Sequence, residues 1–218
     1  MVDAYTTDEE KVEAIKKWFK ENGASLVTGI LLGLAVLFGT KAWFGYKEQQ
    51  ASAASAVYLQ FMEAVGRGQA EAVVRHSQTL IGEYRSTPYA TLATMAMARQ
   101  KVEEGELEAA RAHLEWAVRH AKSEHLQVLA RVRLIRVLLA LEALDAAQEL
   151  LDKRGRAPTF ATLYDELQGD LYVLRGEPRK AYEAYERALA ELPEDAPNRL
   201  LLETKRDEAR LPAAEATS

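Results

Sequence analysis

From Asn22 to Thr40 the chain runs for nineteen residues without a charge, and on both sides of that run apolar residues return at helical spacing. Nineteen helical residues reach about 28 Å, close to the ~30 Å hydrocarbon core of a bilayer. The run passes Lys41 and ends in Trp43, Phe44 and Tyr46, aromatic types that settle at the headgroup level. The pattern predicts one membrane-spanning helix over residues 24–46. A buried helix of a soluble protein would carry a polar face, and this stretch has none. A cleaved signal peptide is the closer rival, because Ala51-Ser52-Ala53 and Ala54-Ser55-Ala56 look like cleavage sites. Against cleavage, the preceding region is over twenty residues long and acidic as well as basic, and the run exceeds the ~7–15 residues of a signal core. An uncleaved anchor fits better.

Before the run, Thr7 to Glu10 reads as a capping box. Val12, Ile15, Trp18 and Phe19 then share one stripe, and Asn22-Gly23 is expected to end the helix. Residues 1–23 thus form an amphipathic arm, with Trp18 and Phe19 turned to the lipid surface or a membrane partner. The plainer alternative is a cap on the entry to the membrane. Lys11, Lys16, Lys17 and Lys20 precede the span, whereas only Lys41 and Lys47 follow closely, which places the N-terminus in the cytoplasm. Within the span, Gly29 and Gly33 form a GxxxG, and Ala35 and Gly39 repeat the spacing. Such small residues let a second helix approach closely, although glycine is also simply common in membrane helices.

From Lys47 onward no strand-like alternation occurs, and alanine and leucine recur with the helical period. Gly169, Tyr172, Ala181, Tyr185, Ala188 and Pro193 occupy the signature places of a tetratricopeptide repeat numbered from Thr162. Small residues at Gly169, Ala181 and Ala188 allow close helix packing, Tyr172 and Tyr185 fill the gap, and Pro193 ends the second helix. Gly105 to Ala110 and Leu144 to Ala147 keep the same frame more loosely, in units starting near Thr91 and Val128. Their turns, at 105, 142 and 176, lie 37 and 34 residues apart, which suggests a small insertion before His125. A fainter unit surrounds Gly66-Arg67-Gly68, its first helix running through Tyr58, Phe61 and Met62, with continuity into the membrane helix as one reading. A closing helix over about Asn198 to Arg210 would cover the last repeat, and residues 212–218 form a small, polar, disordered tail. The expected fold is all-α: one N-terminal membrane helix, then a repeat solenoid over residues 47–211 with a capping helix. Because first helices line the inner face of such repeats, the resemblance points to Met95, Arg99, Val132, Arg136, Glu166, Asp170 and Val173 as a groove for polypeptide. It lacks the Lys/Asn set with which eukaryotic chaperone-tail adaptors hold a terminal carboxylate.

Charge and chemistry narrow this further. Residues 47–218 hold 23 basic and 27 acidic side chains, with no basic face to suggest nucleic acid. Cysteine is absent, which excludes disulfides and Cys-type zinc sites. His113 and His120 stand two helical turns apart, too far to share a metal ion, and the histidines read as exposed helix residues. Glu103, Glu104, Glu106 and Glu108 read as a solvated cluster. No nucleophile, phosphate-binding or dinucleotide motif is present, so neither catalysis nor a cofactor is expected.

Residues 11–23, together with the stretches 89–110 and 167–176, are similar to the YfgM family, the ancillary SecYEG translocon subunits of Gram-negative bacteria. The resemblance implies an inner-membrane protein with periplasmic repeats and no fixed catalytic residues. Its implied partners are the SecYEG channel, the membrane-anchored parvulin-like chaperone PpiD and polypeptide clients. A scaffold for another envelope complex (secretion, pilus or cytochrome maturation) is the alternative.

Overall fold

The computed structural model describes residues 8–153 and 160–210, and every regular element described is an α-helix. In order these are α1 (Asp8–Gly66), α2 (Ala70–Glu83), α3 (Pro88–Glu103), α4 (Leu107–His120), α5 (Glu124–Ala140), α6 (Leu144–Asp152), α7 (Ala161–Leu174), α8 (Pro178–Glu191) and α9 (Arg199–Glu208). The capping contact expected from Thr7 and the tail after residue 211 lie outside the described residues. The chain divides into two compact units, Met1–Ser52 and Ala53–Ser218.

The first unit is built on α1, which corrects the expected stop at Asn22-Gly23, since the helix runs through both residues. Gly23 does not adopt the left-handed conformation that ends a helix. In helical φ/ψ it costs only about 1 kcal/mol against alanine. The Asn22 amide, free to cap, instead donates to the Trp18 carbonyl at 3.1 Å. The apolar run is bare: Leu26 through Phe38 expose their large side chains by 38–68%. α1 is the one described helix long and apolar enough to cross a membrane. At the end of the run the Lys47 ammonium sits 5.2 Å from the centre of the Trp43 ring, and the Gln50 amide donates to the Tyr46 hydroxyl.

Among the described residues, the second unit is four helical hairpins and a closing helix. Each hairpin turns on the same device. Gly68, Gly105, Glu142 and Gly176 all have positive φ, between 55° and 78°. At each, two backbone N–H groups bond back to the carbonyls that the preceding helix leaves open. At the second turn Gly105 N–H donates to Val102 and Glu106 N–H to Lys101; at the third, Glu142 to Leu139 and Ala143 to Leu138. This is the Schellman closure, and its spacing of 37, 37 and 34 residues makes the repeat visible in the backbone alone. The insertion expected before His125 is not a loop. Only Ala121 to Ser123 separate α4 from α5, and the extra residues lengthen α5 to 17 against 14 in α7.

First helices pack on the next first helix (α3 on α5, α5 on α7), and each second helix packs on the following hairpin (α2 on α3, α4 on α5, α6 on α7). The core is therefore a row of layers. At one end Ala54, Phe61 and Ala64 of α1 meet Val73 and Leu80 of α2 and Ala90, Ala93 and Met97 of α3. Met62, expected among them, is 42% exposed, because it lies one residue off that stripe. In the middle Leu114, Ile135, Leu138, Leu151 and Leu167 are buried together. At the far end Ala181, Tyr185, Ala188 and Leu202 close the stack. At Gly169 α7 and α8 cross closely: an added Cβ would stand 2.3 Å from the Tyr185 ring.

Candidate functional site

Because α3, α5 and α7 lie side by side, their outward residues share one face, and two recesses open along it. The first, of ≈ 300 Å³, lies between α3, α4 and α5. Met95, Ala98, Leu114 and Val137 form an apolar floor, and Arg99, Arg133 and Arg136 stand around it. The second, of ≈ 770 Å³, is lined by Leu139, Asp170, Val173, Leu174, Tyr185 and Lys205, and Arg136 and Ala140 belong to both.

The expected groove residues divide accordingly. Arg99, Arg136, Asp170 and Val173 reach one recess or the other, and Met95, only 1% exposed, serves as floor. Val132 lines neither recess. It is 2% exposed within the central core, because it falls on the α5 stripe that faces neighbouring helices. Glu166, 8% exposed, is structural. Its carboxylate accepts from Lys205 of α9 at 2.8 Å. The same ammonium donates to Asp170 at 2.9 Å, and the Tyr185 hydroxyl donates to Asp170 at 2.8 Å. Burial works against the Lys205 charge, yet its hydrogen bonds with Glu166 and Asp170 raise its pKa overall. Burial first, and then Asp170, push the Tyr185 phenol far above its usual range. Arg206 adds an ion pair with Glu186 at 3.1 Å, so α9 is clasped to α7 and α8 by charge as well as by Leu202.

Sequence reasoning missed Arg133 and Lys205. A signal for Arg133 existed. Arg99 pairs with Glu103 and Arg111 with Glu115 one turn away, whereas no acid stands three or four residues from Arg133 or Arg136. Lys205 could not be found locally, since its partners lie 35 and 39 residues away.

Other expectations shift in detail. His76, His113 and His120 are half-buried rather than exposed. The His120 ring stacks on Trp116 with centroids 4.2 Å apart. Burial, then Lys101, lowers the His113 pKa. No three His, Asp or Glu side chains among the described residues are grouped to hold a metal. Glu103, Glu104, Glu106 and Glu108 each have a basic partner, Arg99, Lys101, Lys101 and Arg111 respectively. In the first unit Gly29, Gly33 and Gly39 leave open space around them, and Ala35 is exposed beside them. Trp18 and Phe19, half-exposed, meet edge to face at 5.7 Å.

A family model for a tetratricopeptide repeat-like domain matches residues 16–210. Among curated proteins, the chain is 31% identical to an ancillary SecYEG translocon subunit of Escherichia coli (strain K12), over 85% of this chain and 88% of the relative. A protein of the same name from Haemophilus influenzae is 28% identical over 85% of this chain and 90% of its own length. One from Neisseria gonorrhoeae is 27% identical over 94% of this chain and 98% of its own. No solved structure gives a significant match.

Proposed function

Because the chain belongs to the family of ancillary SecYEG translocon subunits, built on a tetratricopeptide repeat-like domain, we propose that it is a membrane-anchored, non-enzymatic accessory of that translocon. The N-terminus lies in the cytoplasm, α1 holds the chain in the inner membrane, and the repeats stand in the periplasm. There the face of α3, α5 and α7 receives polypeptide, from emerging clients or from the membrane-anchored chaperone PpiD. Trp18 and Phe19 rest against the lipid surface, and the Gly29, Gly33, Ala35 and Gly39 face packs against a partner helix.

The observation that carries this reading is the extent of the match. It starts at residue 16, so it takes in the apolar run as well as the repeats. An anchor and a binding face on one chain suit this work. Tethering raises the local concentration of weak contacts to the millimolar range for short links, so a shallow face suffices. Crosslinking in intact membranes, followed by mass spectrometry, should recover SecYEG subunits or the chaperone. Recovery of neither, or of a different envelope complex alone, would reject the proposal.

A further inference from the structure

The recess between α3, α4 and α5 is an unusual place to gather cations. Residues 47–218 are acidic overall, and basic side chains on the adjoining helices are held by an acid one turn away, as in Arg99–Glu103 and Arg111–Glu115. α5 departs from that habit, carrying three arginines and a single acid, Glu124, at its first position. Arg131 is taken up by the Lys153 carbonyl at 3.0 Å. Arg133 and Arg136 make no hydrogen bond or ion pair among the described residues. Both stand with Arg99 around the apolar floor. Partial burial, then the like charges of Arg99 and Arg136, hold the Arg133 guanidinium below its usual value. Glu103 offsets only Arg99, at the outer edge. Like charges gathered in this way repel one another, and an anion placed among them relieves that repulsion.

The hollow narrows what that anion is attached to. At ≈ 300 Å³ it stands at the lower limit of small-ligand sites, room for one or two side chains and not for a folded partner. Its walls are aliphatic, and Val102 at the mouth is 42% exposed. A guanidinium binds a carboxylate through two parallel N–H donors, which fixes orientation as well as affinity. We propose that this recess docks an extended polypeptide segment in which an aliphatic or aromatic side chain enters the hollow while an adjacent Asp or Glu side chain pairs with Arg133 and Arg136. The inference deepens the reading of the repeat face as a polypeptide-binding surface, and rests on it.

The test uses the full chain in detergent micelles and short fluorescent peptides capped at both ends, so that no terminal carboxylate takes part. Peptides centred on Leu-Glu, Leu-Gln and Ala-Glu are compared by anisotropy. The Leu-Glu peptide should bind about tenfold more tightly than the other two, as expected for loss of a charge-assisted hydrogen bond or of the apolar anchor. Arg133→Gln with Arg136→Gln should weaken it by a similar factor without changing the helical circular dichroism. Ala140→Trp, which fills the hollow from its rim, should block it. Equal binding of Leu-Gln and Leu-Glu, or indifference to both sets of substitutions, would overturn the proposal, as would oleate displacing the peptide at lower concentration. If peptides fail while the wild-type chain still crosslinks to the translocon, only this inference falls. If the peptides bind as described but the chain recovers no translocon or chaperone subunit, the wider reading falls and the docking site stands.

Discussion

A Cβ at position 169 would stand 2.3 Å from Cε1 of Tyr185, well inside contact distance, and that ring is 2% exposed and anchored to Asp170 through its hydroxyl. Gly169→Ala should therefore destabilise the chain despite gaining about 1 kcal/mol of helix propensity. Overpacking of this kind costs about 2–3 kcal/mol, which leaves a net loss of roughly 1–2 kcal/mol in denaturant unfolding. Glu142 poses the opposite case. It holds φ 55° where the three equivalent turns have glycine. Glu142→Gly should relieve about 1 kcal/mol of left-handed strain, less about 0.5 kcal/mol of unfolded-state entropy, and raise the melting temperature by about 1–2 °C. Gly105→Ala should lower it. Both positions are legible in the sequence: Gly169 from the repeat signature, and residue 142 from the period alone, although no glycine marks it.

At the scale of the element, period and turn locate helices well and faces less well. The closing helix, expected over about Asn198 to Arg210, forms over Arg199–Glu208. The partition between groove and core on α5 was less accessible. α5 packs on α3, α4, α6 and α7, so most of its surface is core and a simple two-sided pattern does not exist. Hence Val132 is buried while Arg133 and Arg136 flank the open side. The α9 clasp makes a prediction about pH. Lys205 and Tyr185 both have folded pKa values raised above their ordinary 10.5 and 10.0. The stability linked to each is complete below those ordinary values and is lost as pH rises above them and through the raised folded values. Thermal unfolding followed by circular dichroism should thus show a midpoint that falls above about pH 10. Tyr185→Phe, which keeps the ring and removes the ionising hydroxyl, should shallow that fall. Lys205→Met should cost about 2 kcal/mol already at pH 7, because it leaves the buried Glu166 without its cation.

For the whole molecule, the proposed orientation rests on the lysines that precede the apolar run. The chain has no cysteine, so single cysteines can report on sidedness without background. With the outer envelope opened and the inner membrane intact, a membrane-impermeant maleimide should label Gln78→Cys and leave Glu13→Cys unlabelled until detergent is added. The reverse pattern would put the repeats in the cytoplasm. The manner in which α9 is fastened has a practical side. Its outer surface already shows Leu200 and Leu201 to solvent, 76% and 58% exposed, while Leu202 and the following Ala209 are buried against the final hairpin. A shortened version ending at Glu191 would uncover the flank of Tyr185 and strand Glu166 and Asp170 beside it. Such a fragment should clump during purification, whereas a fusion appended beyond Arg210 leaves Leu202 and Ala209 seated.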